Sequence, residues 1–165
     1  MSKQKNIPII VGVGQVVDHW DGLDPSQAPS PISLATQSIE RALADTGNSD
    51  LQNDMDTLAV VRAFTDSLSS PFDPFGKAMN FPAAIAQAAE IKPQQIIYSP
   101  AGGEQPQSLV NELSQAIANG DIRTAMIVGS EANAALKTAL KRSVKLDWAS
   151  DVSAEIQDRG DPSDS

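Results

Sequence analysis

Gln95-Ile96-Ile97-Tyr98-Ser99-Pro100-Ala101-Gly102-Gly103-Glu104-Gln105-Pro106-Gln107-Ser108-Leu109-Val110 reads as a short apolar strand, a glycine turn and the opening of a helix. Pro106 suits the first helical turn, and Gly120 follows the end of a helix predicted from about Gln105 to Asn119. Leu109, Val110, Leu113, Ala116 and Ile117 recur along it as one apolar stripe. Residues 95–98 are predicted as a short third strand, and the near-continuous apolar run at residues 7–13 suits a strand covered on both faces, the habit of parallel sheets.

The same unit repeats outward in both directions. Residues 7–13, rich in Ile and Val, are predicted as a first strand. Ser30-Pro31 then supplies an N-cap and a proline at the first helical position. Ile32, Ala35, Ile39, Ala42 and Leu43 fall at helical spacing, and Gly47 marks the stop. Residues 57–61 predict a second strand, and 67–76, with Pro71 and Pro74, a long loop. Asn80 caps a helix from about Phe81 to Glu90. Residues 124–128 are a fourth strand, followed by a helix over about 132–145. The order βαβαβαβα implies right-handed crossovers and a mainly parallel α/β sheet flanked by helices. Residues 1–146 are expected as this α/β domain, and 147–165 as an acidic loop or disordered tail.

Composition narrows the chemistry. The 165 residues carry twelve Lys and Arg against twenty-one Asp and Glu, a formal charge of −9. Such a chain repels nucleic acid and anionic membrane as a whole, so neither is expected as a partner. No apolar run approaches the ~20 residues of a membrane span, and Met1-Ser2-Lys3-Gln4-Lys5 leads into no signal-peptide core. A cytoplasmic location is the expectation. The chain has no cysteine and a single histidine, His19, which removes thiolate metal sites, disulfides and cysteine nucleophiles.

Four features compete as sites. Gly12-Val13-Gly14-Gln15-Val16-Val17 lacks the third glycine of a dinucleotide fingerprint and enters an Asp- and Pro-rich loop, not a helix, so a strand-end turn fits better. Asp18, Asp21 and Asp24 around His19 lack calcium-loop spacing and read as a solvated acidic loop; no metal is expected. Lys137, Lys141 and Lys145, at i, i+4 and i+8, form either a phosphate-holding ridge or a solvated helix face, and the solvated face is the commoner case. The strongest feature is Gly102-Gly103-Glu104-Gln105. Its glycines let a ligand approach the backbone, and unpaired N–H groups at the helix start favour an oxyanion or carbonyl oxygen. A plain turn with positive φ at both glycines explains it equally well.

These residues also resemble a family. Ile9-Ile10-Val11-Gly12-Val13-Gly14-Gln15, Ser30-Pro31, Ala59-Val60-Val61-Arg62, Asn80-Phe81-Pro82-Ala83, residues 98–111 and Gly129-Ser130-Glu131-Ala132 look like the N-terminal portion of acetyl-CoA acetyltransferase-like thiolases. The Gly-Gly-x-x-Pro-Gln-x-Leu-Val-Asn block of residues 102–111 is the most specific part. The resemblance implies strand order 3-2-1-4, with the first strand inside the sheet, and a second half of the parent chain packed on this one. It implies Claisen condensation or thiolytic cleavage of acyl-coenzyme A, hence lipid metabolism, with coenzyme A thioesters as substrates and no covalent cofactor. It places substrate at Gly102, Gly103, Glu104 and Gln105. Aligning Ile117-Ala118-Asn119-Gly120-Asp121 with the end of the family helix puts Gly103 where the nucleophilic cysteine belongs. No catalytic residue is therefore assigned. The partners it implies are acyl-CoA, the remaining C-terminal half of the parent chain and, through a sheet edge, a second copy as homodimer. Three functions stay open: an acyltransferase with a modified site, an acyl-CoA-binding protein without turnover, and an unrelated doubly wound ligand-binding domain.

Overall fold

A computed structural model describes residues 6–67 and 73–160. The leader reading at residues 1–5, the middle of the loop at 67–76 and residues 161–165 of the tail lie outside the described residues. Four parallel strands form one sheet: β1 (Thr57–Val60), β2 (Gln95–Tyr98), β3 (Ala125–Val128) and β4 (Gln157–Asp158), in the order β3-β1-β2-β4. The main helices are α1 (Pro31–Thr46), α2 (Phe81–Ala88), α3 (Gln105–Asn119) and α4 (Asn133–Arg142).

Each helix starts where its sequence says. Ser30 accepts from the Ser33 N–H and Ser33 returns the bond to the Ser30 N–H, so two backbone donors of α1 are satisfied reciprocally. Asn80 accepts from the Ala83 N–H and caps α2. Ile39 and Ala35 of α1, with Ile85 and Ala86 of α2, pack on Leu58, Val60, Ile96, Tyr98 and Val128, one face of the sheet. Leu109 and Leu113 of α3 cover Ala59 and Ile97 on the other. Each fully buried Ile or Leu of this set contributes roughly 1.5–3 kcal/mol. Helices therefore lie on both faces, as right-handed crossovers in opposite directions demand. Among the described residues no helix is long and apolar enough to cross a membrane.

One predicted strand does not join the sheet. Residues 9–13 form no strand, and the order 3-2-1-4 gives way to one in which Thr57–Val60 is flanked directly by Gln95–Tyr98 and Ala125–Val128. With both edges of β1 taken, no central place is left for them. Residues 12–15 run along α1 instead: the Val13 N–H donates to the Asp45 carboxylate at 2.9 Å, and Arg41 donates to the Gln15 carbonyl at 2.6 Å. Glycine permits this approach, because a Cβ at Gly14 would overlap the Ser38 carbonyl oxygen. Ile9, Ile10 and Val13 stay exposed.

The acidic segment expected as loop or disordered tail is loop over most of its length, but Gln157–Asp158 adds a parallel strand to β2. Asp158 pairs with the buried Arg62 guanidinium, and Arg159 forms a two-pronged pair with Glu112 of α3 at 2.7 and 2.8 Å. Hydrogen bonding to Arg159 holds the Glu112 carboxyl below its usual range.

At the opposite end of the strands Asp56 ties three of them together. Its carboxylate accepts from the Arg123 N–H at 2.7 Å, the Thr124 N–H at 3.2 Å and the Gln94 side-chain amide at 2.8 Å. The Arg123 N–H above all, then the Thr124 N–H and the Arg123 charge, hold its carboxyl below the usual range against the opposing effect of burial.

Two outcomes test this architecture. Asp56→Ala should cost about 2 kcal/mol in denaturant unfolding near neutral pH. A depressed carboxyl stabilises fully above its unfolded pKa, so the gap between wild type and variant should close as pH falls below about 4. A gap that persists unchanged in acid would mean that Asp56 acts by shape alone. Hydrogen exchange tests the displaced strand: amides of residues 9–12 should exchange far faster than those of β1. Equal protection would return that segment to the sheet.

Candidate functional site

In an open parallel sheet, ligands bind outside the carboxyl ends of the strands, where neighbouring connections leave for opposite faces. Here that place lies between β1, whose connection leads to α2, and β2, whose connection leads to α3. Arg62 and Ser99 occupy it. The Ser99 hydroxyl accepts from the Arg62 N–H at 3.0 Å and donates to the Pro100 carbonyl at 2.8 Å. Arg62 Nε donates to the Ser99 carbonyl at 2.9 Å, its guanidinium lies 4.0 Å from the Tyr98 ring centroid, and its terminal nitrogen pairs with Asp158. Ser99 is fully buried and both hydroxyl bonds are made, so it is a structural pin and no nucleophile.

The four residues singled out from sequence stand together just beyond this plug, at the head of α3. Gly102, Gly103 and Glu104 are exposed and Gln105 is half-buried. Gly102 has φ 153°, a backbone that disfavours any side chain, and a Cβ there would meet the Glu104 carboxylate at 2.5 Å. Gly103 does not need positive φ, and a Cβ there would meet nothing within 4 Å. The turn thus needs one special glycine, not two, and Gly103 faces open space.

The electrostatics of the helix head are partly spoken for. No side chain caps the start of α3, yet the Glu104 carboxylate turns back on its own backbone N–H. Its own backbone N–H first, and the Gln105 side-chain amide at 3.0 Å second, hold that carboxyl below its usual range. A ligand oxygen approaching these N–H groups competes with Glu104.

The other candidates separate cleanly. Lys137 and Lys141 sit on the solvent face of α4, and Lys145 lies past its end. His19 is exposed, and among the described residues no cluster of His, Asp and Glu could hold a metal ion. Sequence reasoning missed Asp66: its carboxylate accepts the Tyr98 hydroxyl proton at 2.7 Å, while the Ala63 N–H donates to the same hydroxyl at 3.2 Å. Burial first, and Asp66 second, push the Tyr98 hydroxyl well above the usual phenol range. A tyrosine closing the strand after Ile96 and Ile97 was the signal, since a buried phenol needs a partner.

No known family profile matches this chain, and no curated protein matches it. Among solved structures it is similar to a monomeric SCP2-thiolase-like protein type 1 from Mycobacterium smegmatis, at 28% identity and a TM-score of 0.56. The match covers 74% of this chain and 23% of that one, so the chain spans about a quarter of its neighbour's length. Parallel strands, helices on both faces and this likeness agree on one conclusion: the chain carries a thiolase-like fold.

Proposed function

We propose that this chain is a thiolase-like acyl-CoA-binding unit that holds the thioester or pantetheine end of an acyl-CoA at Gly102, Gly103, Glu104 and Gln105, without forming an acyl-enzyme itself. The observation that carries the reading is the open position at Gly103. The head of α3 is exposed there and carries no side-chain cap bond, and apart from its chain neighbours, Glu104 among them, nothing lies within 4 Å of a Cβ placed at Gly103. A carbonyl oxygen is a better guest than a full anion, because the Glu104 carboxylate stands beside the same donors.

Covalent chemistry lacks its parts. Gly103 offers no nucleophile, the chain has no cysteine, and the nearest buried hydroxyl, Ser99, has both of its hydrogen bonds committed. Condensation or thiolysis of the acetyl-CoA acetyltransferase type would therefore need a nucleophile and a base from further chain, such as a second half packed on this one. That transferase reading, with its place in lipid metabolism and the cytoplasm, is the second choice.

Calorimetry with acetyl-CoA tests the first. Gly103→Val should fold normally, since nothing crowds the new side chain, yet weaken binding at least about tenfold by covering the N–H groups. Glu104→Gln should tighten binding roughly two- to fivefold by removing the competing charge at the helix head. Equal affinity in all three proteins would overturn the site. Cleavage of acetoacetyl-CoA with coenzyme A by the wild-type chain, in proportion to protein, would overturn the non-covalent reading.

A further inference from the structure

A partly open cavity lies on the sheet face opposite α3. It lies among the first turns of α1, α2 and α4, against the segment around Phe75 and Trp148. Its cavity volume is about 60 Å³. By that measure it has room for roughly four to six waters, the scale of one aromatic ring with a short arm. Ile32, Phe81, Leu136, Phe75 and Trp148 give it apolar walls, and the last two rings meet edge to face at 5.5 Å.

Its polar end is acidic. Among the described residues, Asp66 and Asp73 line it against one cation, Lys77. Tyr98 occupies one Asp66 oxygen, whereas Lys77 reaches the other only at 3.8 Å, beyond hydrogen-bond distance. The Lys77 side chain is half exposed and Asp66 is largely covered, so the lysine can swing into water at little cost while the carboxylate stays. Among the described residues the Asp73 carboxylate has no side-chain partner. The space therefore carries a surplus negative charge, one underused acceptor and aromatic faces.

We propose that this cavity binds a small aromatic or aliphatic primary amine, its ammonium on Asp66 and its apolar body between Phe81, Leu136 and Trp148. An ammonium supplies the donor that the free Asp66 oxygen lacks, offsets the surplus charge and gains from the ring faces. A neutral ligand of the same shape gains only the apolar part, and an anion is repelled. The site is independent of the acyl-CoA reading, because it lies across the sheet from the head of α3.

Trp148 serves as reporter once Trp20→Phe removes the other indole. At neutral pH, 2-phenylethylamine should change Trp148 emission saturably, with 2-phenylethanol at least about tenfold weaker and 3-phenylpropionate silent. Asp66→Asn, which keeps an acceptor for Tyr98, should weaken the amine by a similar factor. Ala132→Leu should block it by filling the wall, and Asp147→Asn, outside the cavity, should leave it unchanged. Circular dichroism melts confirm that each variant is folded. No saturable change, equal binding of the alcohol, or amine binding that survives both Asp66→Asn and Ala132→Leu would overturn the proposal.

Discussion

Everything in this fold is hung on β1. Its four residues are buried on both faces and hydrogen-bonded along both edges, to β2 on one side and β3 on the other. A strand so placed has no route to water for its amides, so every ladder bond must be made by its neighbours. That requirement sets the register of the sheet: Thr57 pairs level with both Gln95 and Ala125, and Asp56 just before it gathers the N–H groups that start β3. The carboxyl ends of β1 and β2 are thereby brought level, which is why Arg62 and Ser99 meet there.

The two ends of the sheet divide the labour. At the amino ends a charged group is satisfied by backbone donors and supports stability. At the carboxyl ends the polar groups are those from which a site is made, and there the chain has filled its natural crevice with its own arginine. What remains accessible is displaced to either side: the head of α3 on one face and a small aromatic space on the other. A fold of this class carries its chemistry in such grafted residues and not in its topology.

The helices were legible in the sequence because their signals are local. Ser30 and Asn80 each set a start through bonds made within a few residues, and Pro106 suits the first turn of α3 by its fixed φ. The strand at residues 9–13 misled for the complementary reason. A continuous apolar run and β-branching describe what a segment is able to do, whereas its place in a sheet depends on which edges are still unpaired. Likewise Gln157–Asp158 carries no strand signature; its pairing comes from Arg62 and Glu112, distant in sequence. The glycine turn at 102–105 was visible by composition, but the folding back of Glu104 was not, since it depends on side-chain geometry. The cavity beside Asp66 was invisible because its walls come from five separate segments.

The Asp158–Arg62 pair joins residues 96 positions apart. Contacts of such long range form late, after closer ones have offset part of the entropy of loop closure. On the ribosome, residues 157–160 emerge only after β1, β2 and β3 have been made. Through that interval the outer edge of β2 presents unpaired amides and carbonyls beside a buried cation without its counter-charge. The nascent chain is thus most vulnerable to strand exchange with its neighbours just before it closes its own sheet.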